Sequence, residues 1–328
     1  MTGKTILEVN DMKMHFPVYK GLVFRKQTAC VKAVDGISID LKQGETLGLV
    51  GESGCGKSTF GRTIMRLYEP TAGRIRLNGT DITALSGSDL EEFRVSCQMI
   101  FQDPYASLNP RMTVFDIIAE PLRTHRRFKG RQDLEKQIGD LMNLVGLSPR
   151  YIKKYPHEFS GGQRQRIAIA RALAIKPKLV VCDEPVSALD VSIQSQIINL
   201  LIDLQKELGL SYIFIAHDIA VVKHISDRIA VMYLGRIVEE APKDILFKNP
   251  KHPYTKALLG SVPLADPKKE KQRERLLIKG DLPSPLAPPT GCSFHTRCPL
   301  AKQECSQIEP SLKEGGEGLE HKVSCLLY

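Results

Sequence analysis

Residues 51 to 59 read Gly-Glu-Ser-Gly-Cys-Gly-Lys-Ser-Thr and fit the pattern G-x-x-x-x-G-K-[ST]. The apolar run before them, Glu45 to Val50, predicts a buried strand. The residues after them, Ser58 to Leu67, carry apolar side chains at helical spacing and predict a helix. A glycine turn that joins a buried strand to a helix indicates an α/β protein with a doubly wound parallel sheet.

The glycine turn has the chemistry of a phosphate-binding loop. Gly51, Gly54 and Gly56 allow backbone N–H groups to face a polyphosphate that side chains would obstruct. Lys57 would place its charge on the β- and γ-phosphates, and Ser58 would offer a hydroxyl to Mg²⁺. The helix that follows adds the positive end of its dipole. We therefore predict a site for a nucleotide triphosphate with Mg²⁺.

Two later apolar runs, Lys178 to Cys182 and Ser211 to Ala216, predict two more buried strands. Asp183 and Glu184 follow the first; Asp183 would hold Mg²⁺ and Glu184 would polarise the attacking water. His217 follows the second, where it would contact the γ-phosphate. Taken alone, the acidic pair also fits a helix cap and the histidine a structural role. The phosphate-binding loop favours the catalytic interpretation.

Composition excludes some classes of protein. The chain has 328 residues, enough for one large α/β domain with an appendage. No apolar run reaches the roughly 20 residues that span a bilayer, and the start lacks the apolar core of a signal peptide. We expect a cytoplasmic chain. The net charge of +9 is compatible with nucleic acid, an anionic membrane surface or a nucleotide enzyme, and the basic residues are scattered apart from one denser patch between Arg123 and Arg131. We expect no nucleic acid as a partner.

The chain divides into segments of different composition. Residues 113–173 are mostly helical in pattern and predict a helical insertion. The composition changes near residue 249, so we assign residues 1–248 to the core domain and 249–328 to an extension. The extension contains a charged stretch, Lys268 to Arg275, and a proline-rich stretch, Pro283 to Pro289, that are typical of a linker.

The set of motifs resembles the ATP-binding subunit of ABC transporters over about residues 6 to 245. The motifs follow that family's order: Walker A at Gly51, Ser53, Gly54, Cys55, Gly56, Lys57, Ser58 and Thr59, Q-loop at Gln102, signature at Ser160, Gly161, Gly162 and Gln163, Walker B at Asp183 and Glu184, D-loop at Asp190, and H-loop at His217. The resemblance implies a RecA-like parallel-sheet core with an antiparallel β subdomain and a helical subdomain, plus a small Cys-rich C-terminal extension. It also implies that Gln102 contacts Mg²⁺ and transmits closure to membrane subunits.

In that family two subunits pair head to tail, and the signature of one closes over ATP on the Walker A of the other. A helix starting near Gln163 would give the signature a second anion site. Phe16 matches the aromatic residue that stacks on adenine, although the following stretch, Pro17 to Lys32, looks like a loop extension.

The resemblance extends to one branch of the family. Asn249 to Leu259 and Gly291 to Pro299 are similar to the oligopeptide and dipeptide importers, and the motifs resemble their F-type subunit. This implies a homologous D-type partner, two membrane-spanning permeases and an extracytoplasmic peptide-binding protein. The subunit would lie at the cytoplasmic face of the inner membrane. Nickel importers share the pattern and remain an alternative.

Four of the eight cysteines crowd near the C-terminus: Cys292, Cys298, Cys305 and Cys325. Their spacing lacks a C-x₂₋₄-C pair and leaves an iron–sulfur cluster, zinc and no metal all open. The resemblance to peptide importers favours a structural [4Fe–4S] cluster. Cys55 is a separate case. It lies near Lys57 and a helix N-terminus, so the pKa of its thiol is expected to be lowered. We expect maleimide to label this thiol and Mg-ATP to prevent the labelling.

Other families share the nucleotide head. SMC-type ATPases place a very long coiled coil between Walker A and the signature, and this chain has no room for one between Lys57 and Phe159. Translation-factor ATPases carry two ATPase halves, and this chain has one. An iron–sulfur redox or sensor protein that uses ATP as a switch remains an alternative of a different class.

Overall fold

The computed structural model describes residues 3–20, 26–261, 278, 280–315 and 320–328. Its strands are β1 (Thr5–Lys20), β2 (Lys26–Lys42), β3 (Thr46–Val50), β4 (Ala72–Leu77), β5 (Thr80–Asp81), β6 (Cys97–Ile100), β7 (Leu179–Asp183), β8 (Ser211–Ala216), β9 (Arg228–Tyr233), β10 (Arg236–Pro242), β11 (Lys313–Glu314) and β12 (Lys322–Val323). Its helices are α1 (Lys57–Ile64), α2 (Gly87–Ser96), α3 (Pro104–Ser107), α4 (Val114–Thr124), α5 (Arg131–Leu144), α6 (Gly161–Leu173), α7 (Val191–Leu208), α8 (Ile219–Ile225), α9 (Lys243–Lys248) and α10 (Pro253–Ser261). The charged stretch Lys268 to Arg275 lies outside the described residues.

The chain forms two compact units. The first consists of residues 84–215 with short pieces at residues 3–4 and 42–45. The second consists of residues 5–41 and 46–83 together with the described residues from 216 onward.

The first unit contains a parallel sheet in the order β6, β7, β8. Every residue of β7 and β8 is buried, which explains why both strands are continuous apolar runs in the sequence. Helices α4, α5 and α6 lie within residues 113–173, so this stretch is largely helical, and its assignment as an insertion stays a prediction. The parallel strands and their helices confirm the predicted α/β class.

The second unit contains a four-stranded antiparallel sheet in the order β2, β1, β4, β5. It also contains β3, which pairs in parallel with β9 and continues through antiparallel β10, β12 and β11. The prediction of a loop over Pro17 to Lys32 is wrong for most of that stretch, since β1 runs to Lys20 and β2 begins at Lys26. Both strand ends are largely exposed, and their polar side chains make the sequence resemble a loop.

A buried glutamate on β10 forms hydrogen bonds with the C-terminal segment, by which we mean the described residues from 249 onward. Glu239 on β10 is fully buried and accepts hydrogen bonds from the backbone N–H groups of Lys251 and His252 at 2.6 and 2.9 Å. Its carboxylate is also hydrogen-bonded to the His321 ring at 2.7 Å. The start of α10 and the chain before β12 are therefore held to one side chain. The proline-rich stretch forms neither helix nor strand, but Pro285 accepts a hydrogen bond from the Lys32 N–H.

Candidate nucleotide site

The phosphate loop connects β3 to α1 in the second unit. Gly56 precedes α1 with φ of 109°, and a Cβ there would lie 2.0 Å from the carbonyl oxygen of Ala33. A Cβ on Gly51 would lie 2.2 Å from the carbonyl oxygen of Met232. These two glycines are required by close backbone packing around the loop, in addition to the room that a phosphate needs.

Lys57 is the first residue of α1, and its side chain points back into the loop. Its Nζ donates to the carbonyl oxygens of Gly51 and Glu52 at 2.8 and 2.9 Å, and the residue is only 4% exposed. Ser58 and Thr59 are half-buried on the same helical turn, while Ser53 and Gly54 are exposed. A buried ammonium group at a helix N-terminus is an arrangement that binds a polyphosphate.

Cys55 lies inside the loop and does not have the lowered pKa predicted from the sequence. It is 1% exposed, and burial raises the pKa of its thiol. The Lys57 charge opposes this rise without cancelling it. The sequence showed the neighbouring cation but not the burial, and loss of solvent disfavours the thiolate more strongly.

Two predicted nucleotide contacts from outside the loop also lie in the second unit. Phe16 is half-buried on β1 and packs edge to face against Tyr68, with ring centroids 5.4 Å apart. His217 directly follows β8 in the chain and is exposed. Asp218, the next residue, caps α8 by accepting a 2.8 Å hydrogen bond from the Ala220 N–H.

The first unit brings together the Walker B and Q-loop residues. Asp183 is the buried last residue of β7, and Glu184 follows it with its N–H bonded to the Ile215 carbonyl at 2.9 Å. Gln102 Nε2 donates a 2.9 Å hydrogen bond to Glu184 Oε2. A carboxylate oriented by an amide is suited to hold a water molecule for attack on a phosphate.

The signature residues form the start of a helix of the first unit. Helix α6 begins at Gly161, two residues earlier than predicted, and exposed Ser160 is its N-cap. Ser160 Oγ accepts from the Gln163 N–H at 3.4 Å, and Gln163 Oε1 accepts from the Ser160 N–H at 3.0 Å. Asp190 occupies the corresponding position before α7 and is exposed. Sequence reasoning missed the earlier start because glycines disfavour helix interiors.

Sequence reasoning also missed two residues, Arg297 and Tyr254, that contact the loop residue Glu52 from outside the loop. Glu52 accepts hydrogen bonds from Arg297 through its carboxylate, and its N–H donates to the Tyr254 hydroxyl. Both partners lie in the two C-terminal stretches singled out for their resemblance to peptide importers. Their place in these two stretches is the only sequence signal for the contacts with Glu52, because the contacts join residues more than 200 positions apart.

The four C-terminal cysteines are free thiols, and three of them lie close enough to the fourth, Cys292, to influence its charge. Burial and the neighbouring thiols Cys325, Cys305 and Cys298 raise the pKa of Cys292 to about 11. Within the described ranges of the chain, however, no group of three or more His, Cys, Asp or Glu side chains is arranged to hold a metal ion. The predicted iron–sulfur site is therefore not supported by the side-chain arrangement.

Comparison with known proteins identifies the family of the chain. The family model "ABC transporter" matches residues 34–187, and "Oligopeptide/dipeptide transporter, C-terminal region" matches residues 238–305. The oligopeptide transport ATP-binding protein AppF of Bacillus subtilis is 56% identical over 99% of this chain and 98% of its own. The chain belongs to the ABC transporter ATP-binding proteins. Within them it is similar to the oligopeptide and dipeptide transport subunits.

Other members of this ABC family show the same breadth of match. OppF of Salmonella typhimurium is 56% identical over 98% of this chain and 96% of its own, and the dipeptide transport protein DppF of Escherichia coli is 49% identical over 98% and 93%. The ATP-binding cassette MJ0796, solved as a dimer with ADP and phosphate, superposes with a TM-score of 0.63 at 28% identity. The superposed region covers 73% of this chain and 99% of the MJ0796 chain. No described helix is long and apolar enough to cross a membrane.

Proposed function

We propose that this ABC ATPase binds Mg-ATP at residues 51–59 and hydrolyses it to drive uptake of oligopeptides or dipeptides. The observation that carries the proposal is the buried Lys57 ammonium, held inside a glycine loop at the N-terminus of α1. Relatives that match nearly the whole chain are named for oligopeptide and dipeptide transport, which supports the peptide cargo.

Each site residue has a proposed role in phosphoryl transfer. Lys57 and the loop N–H groups neutralise the phosphate charge, and Ser58, Gln102 and Asp183 hold Mg²⁺. Glu184 accepts the proton of the attacking water, and the water oxygen displaces ADP from the γ-phosphorus. The hydrogen bond from Gln102 to Glu184 supports a shared role for these two side chains. His217 contacts the γ-phosphate, and Phe16 stacks on adenine.

We propose that the signature acts on ATP bound to a second ATPase subunit of the D type, head to tail. Ser160 is exposed at the N-terminus of the 13-residue helix α6, and exposed Asp190 begins α7. Such a helix end supplies free N–H groups to an anion that approaches from outside the chain. ATP then drives the two subunits together because it binds the closed pair better than the open pair.

The remaining partners follow from the transporter family. Two membrane-spanning permeases receive the closure signal, an extracytoplasmic binding protein delivers the peptide, and the ATPase lies at the cytoplasmic face of the inner membrane. No nucleic acid takes part. Residues 1–248 form the ATPase domain in this proposal, and residues 249–328 form the importer-specific extension.

For the four C-terminal cysteines we retain the proposal of a structural [4Fe–4S] cluster, with no step of hydrolysis passing through it. The resemblance to peptide importers is the ground for it, whereas the side chains of the described residues form no metal-binding group. Anaerobic purification followed by iron and acid-labile sulfide assays tests it. About four irons and four sulfides per chain are expected. Stoichiometric zinc, or no metal, contradicts the cluster.

The transport proposal is tested by co-purification from membranes and uptake of labelled peptides. Permeases and a second ATPase should co-purify, and Lys57→Ala should abolish both ATP binding and uptake of di- and oligopeptides. Lys206→Ala, an exposed lysine of α7, is the matched control and should leave uptake unchanged. Uptake of nickel chelates in place of peptides would establish the metal importer, and a redox phenotype without an uptake defect would establish the sensor.

A further inference from the structure

We propose that Arg297 and Tyr254 are positioning residues for the phosphate loop, through which the C-terminal segment sets the affinity for ATP. Both act on Glu52, the second residue of the loop. This inference rests on the proposed binding of ATP at residues 51–59. It assigns the C-terminal segment a role in the nucleotide site of its own chain.

Glu52 has a partner for each of its polar groups. Its N–H donates to the Tyr254 hydroxyl at 2.8 Å, and its carbonyl oxygen accepts from Lys57 Nζ at 2.9 Å. Its two carboxylate oxygens accept from one guanidinium nitrogen of Arg297 at 3.1 and 2.9 Å. A single residue therefore connects the C-terminal segment to the lysine that faces the phosphates.

Arg297 is itself held in place by a buried aromatic cluster. Phe294 is 1% exposed and packs against Tyr233 and Tyr254, with ring centroids 5.2 and 5.4 Å away. Arg297 lies three residues after Phe294, and its guanidinium also approaches the Tyr233 hydroxyl at 3.5 Å. The Arg297 side chain is 9% exposed, so water screens its charge poorly.

The charge of Glu52 explains why this contact matters for a nucleotide. A carboxylate in the loop repels a triphosphate, and its influence reaches the loop interior, because the Glu52 charge contributes to the raised pKa of Cys55. Arg297 offsets that charge and draws the carboxylate toward the C-terminal segment. Removing the arginine charge leaves Glu52 uncompensated beside the phosphates.

The contact with Tyr254 acts on the backbone of Glu52, whereas the contact with Arg297 acts on the charge of its carboxylate. The Tyr254 ring is fully buried, so its hydroxyl is a fixed acceptor for the Glu52 N–H. A fixed N–H orients the peptide group that joins Gly51 to Glu52, and the carbonyl oxygen of that same group, on Gly51, accepts a hydrogen bond from Lys57. Loop groups that are already in position lose less freedom when they bind the phosphates.

Calorimetric titration of the full-length chain with Mg-ATP tests the inference. Arg297→Gln keeps most of the side chain and removes the charge, and it should raise the dissociation constant roughly tenfold. Adding Glu52→Gln to that variant should restore the constant to within about threefold of the parent, because the uncompensated charge is then gone.

Tyr254→Phe should raise the dissociation constant about threefold. Glu207→Gln, at an exposed residue of α7 in the first unit, is the control and should leave the constant unchanged. Parental affinity in Arg297→Gln, or no recovery in the double variant, overturns the inference. If Lys57→Ala binds Mg-ATP normally, the proposed site at residues 51–59 fails instead, and the two failures are distinct.

Discussion

The side-chain amide of Gln102 lies 2.9 Å from the carboxylate of Glu184 and donates a hydrogen bond to it. The two residues follow β6 and β7, which are neighbours in the parallel sheet, so both side chains emerge at one edge. Glu184 has φ of 48°, a left-handed conformation that costs a residue with a side chain roughly 1–2 kcal/mol. The surrounding contacts hold it there, as is common where a side chain must point in one direction for function.

Glu184→Gln should slow ATP hydrolysis by the assembled complex roughly 100-fold or more, because the amide cannot accept the proton of the attacking water. The affinity for ATP should stay within about threefold, since the charges that bind the phosphates are unchanged. Phosphate release and calorimetric titration measure the two effects. Glu207→Gln, an exposed residue of α7, is the control. Turnover at the parental rate in Glu184→Gln would rule out Glu184 as the base.

Cys55 should resist maleimide at pH 7, because burial raises its pKa and keeps the thiol protonated. The half-buried Cys30 should react first, roughly tenfold faster, as followed by peptide mass spectrometry. Labelling of Cys55 should increase with pH, since more thiolate forms as its pKa is approached. Equal rates for the two thiols at pH 7 would contradict this. Slow labelling of Cys55 is still expected, and we predict that Mg-ATP reduces it.

Phe294→Ala should lower the free energy of unfolding by about 3–5 kcal/mol, because it leaves a cavity among buried rings. Urea unfolding followed by intrinsic tyrosine fluorescence measures the change. Leu300→Ala, at a side chain that is 46% exposed, should change the free energy by less than about 0.5 kcal/mol. Similar losses in both variants would mean that the ring cluster does not anchor the C-terminal segment.

His252 should make the protein less stable in mild acid. Burial lowers its pKa to about 4, so between pH 6.5 and 4 the unfolded chain binds a proton that the folded chain does not. Stability is therefore lost as the pH falls through this range, by up to about 3 kcal/mol. His252→Asn keeps an acceptor for the Tyr254 N–H and should flatten the dependence. Parallel curves of unfolding free energy against pH for the two proteins would refute this role.

The sequence predicted the parts of the fold that have a local signal. Strands β3, β7 and β8 are buried apolar runs; the glycine loop directly follows β3, and Glu184 directly follows β7. The exposed ends of β1 and β2 were missed because their polar residues lack the signal of burial. The start of α6 was placed late because Gly161 and Gly162 resemble a turn.

The residues around the loop could not be predicted, because their interactions are not local. The Arg297 side chain meets Glu52 across 245 positions of the chain, and no spacing rule connects them. The predicted lowering of the Cys55 pKa was wrong for a related reason, since burial of the thiol has no local signal in the sequence. Charge next to a residue is visible in a sequence, whereas desolvation is visible only after the chain has folded.

The buried carboxylate of Glu239 has a consequence for synthesis of the protein on the ribosome. Its histidine partner is translated 82 residues later. At translation rates of about 5–20 residues per second, roughly 4 to 16 s separate the synthesis of Glu239 from that of His321. Until His321 is made, only the backbone N–H groups of Lys251 and His252 are there to compensate the carboxylate, so we expect the pairing of β12 with β10 to complete its burial late in biogenesis.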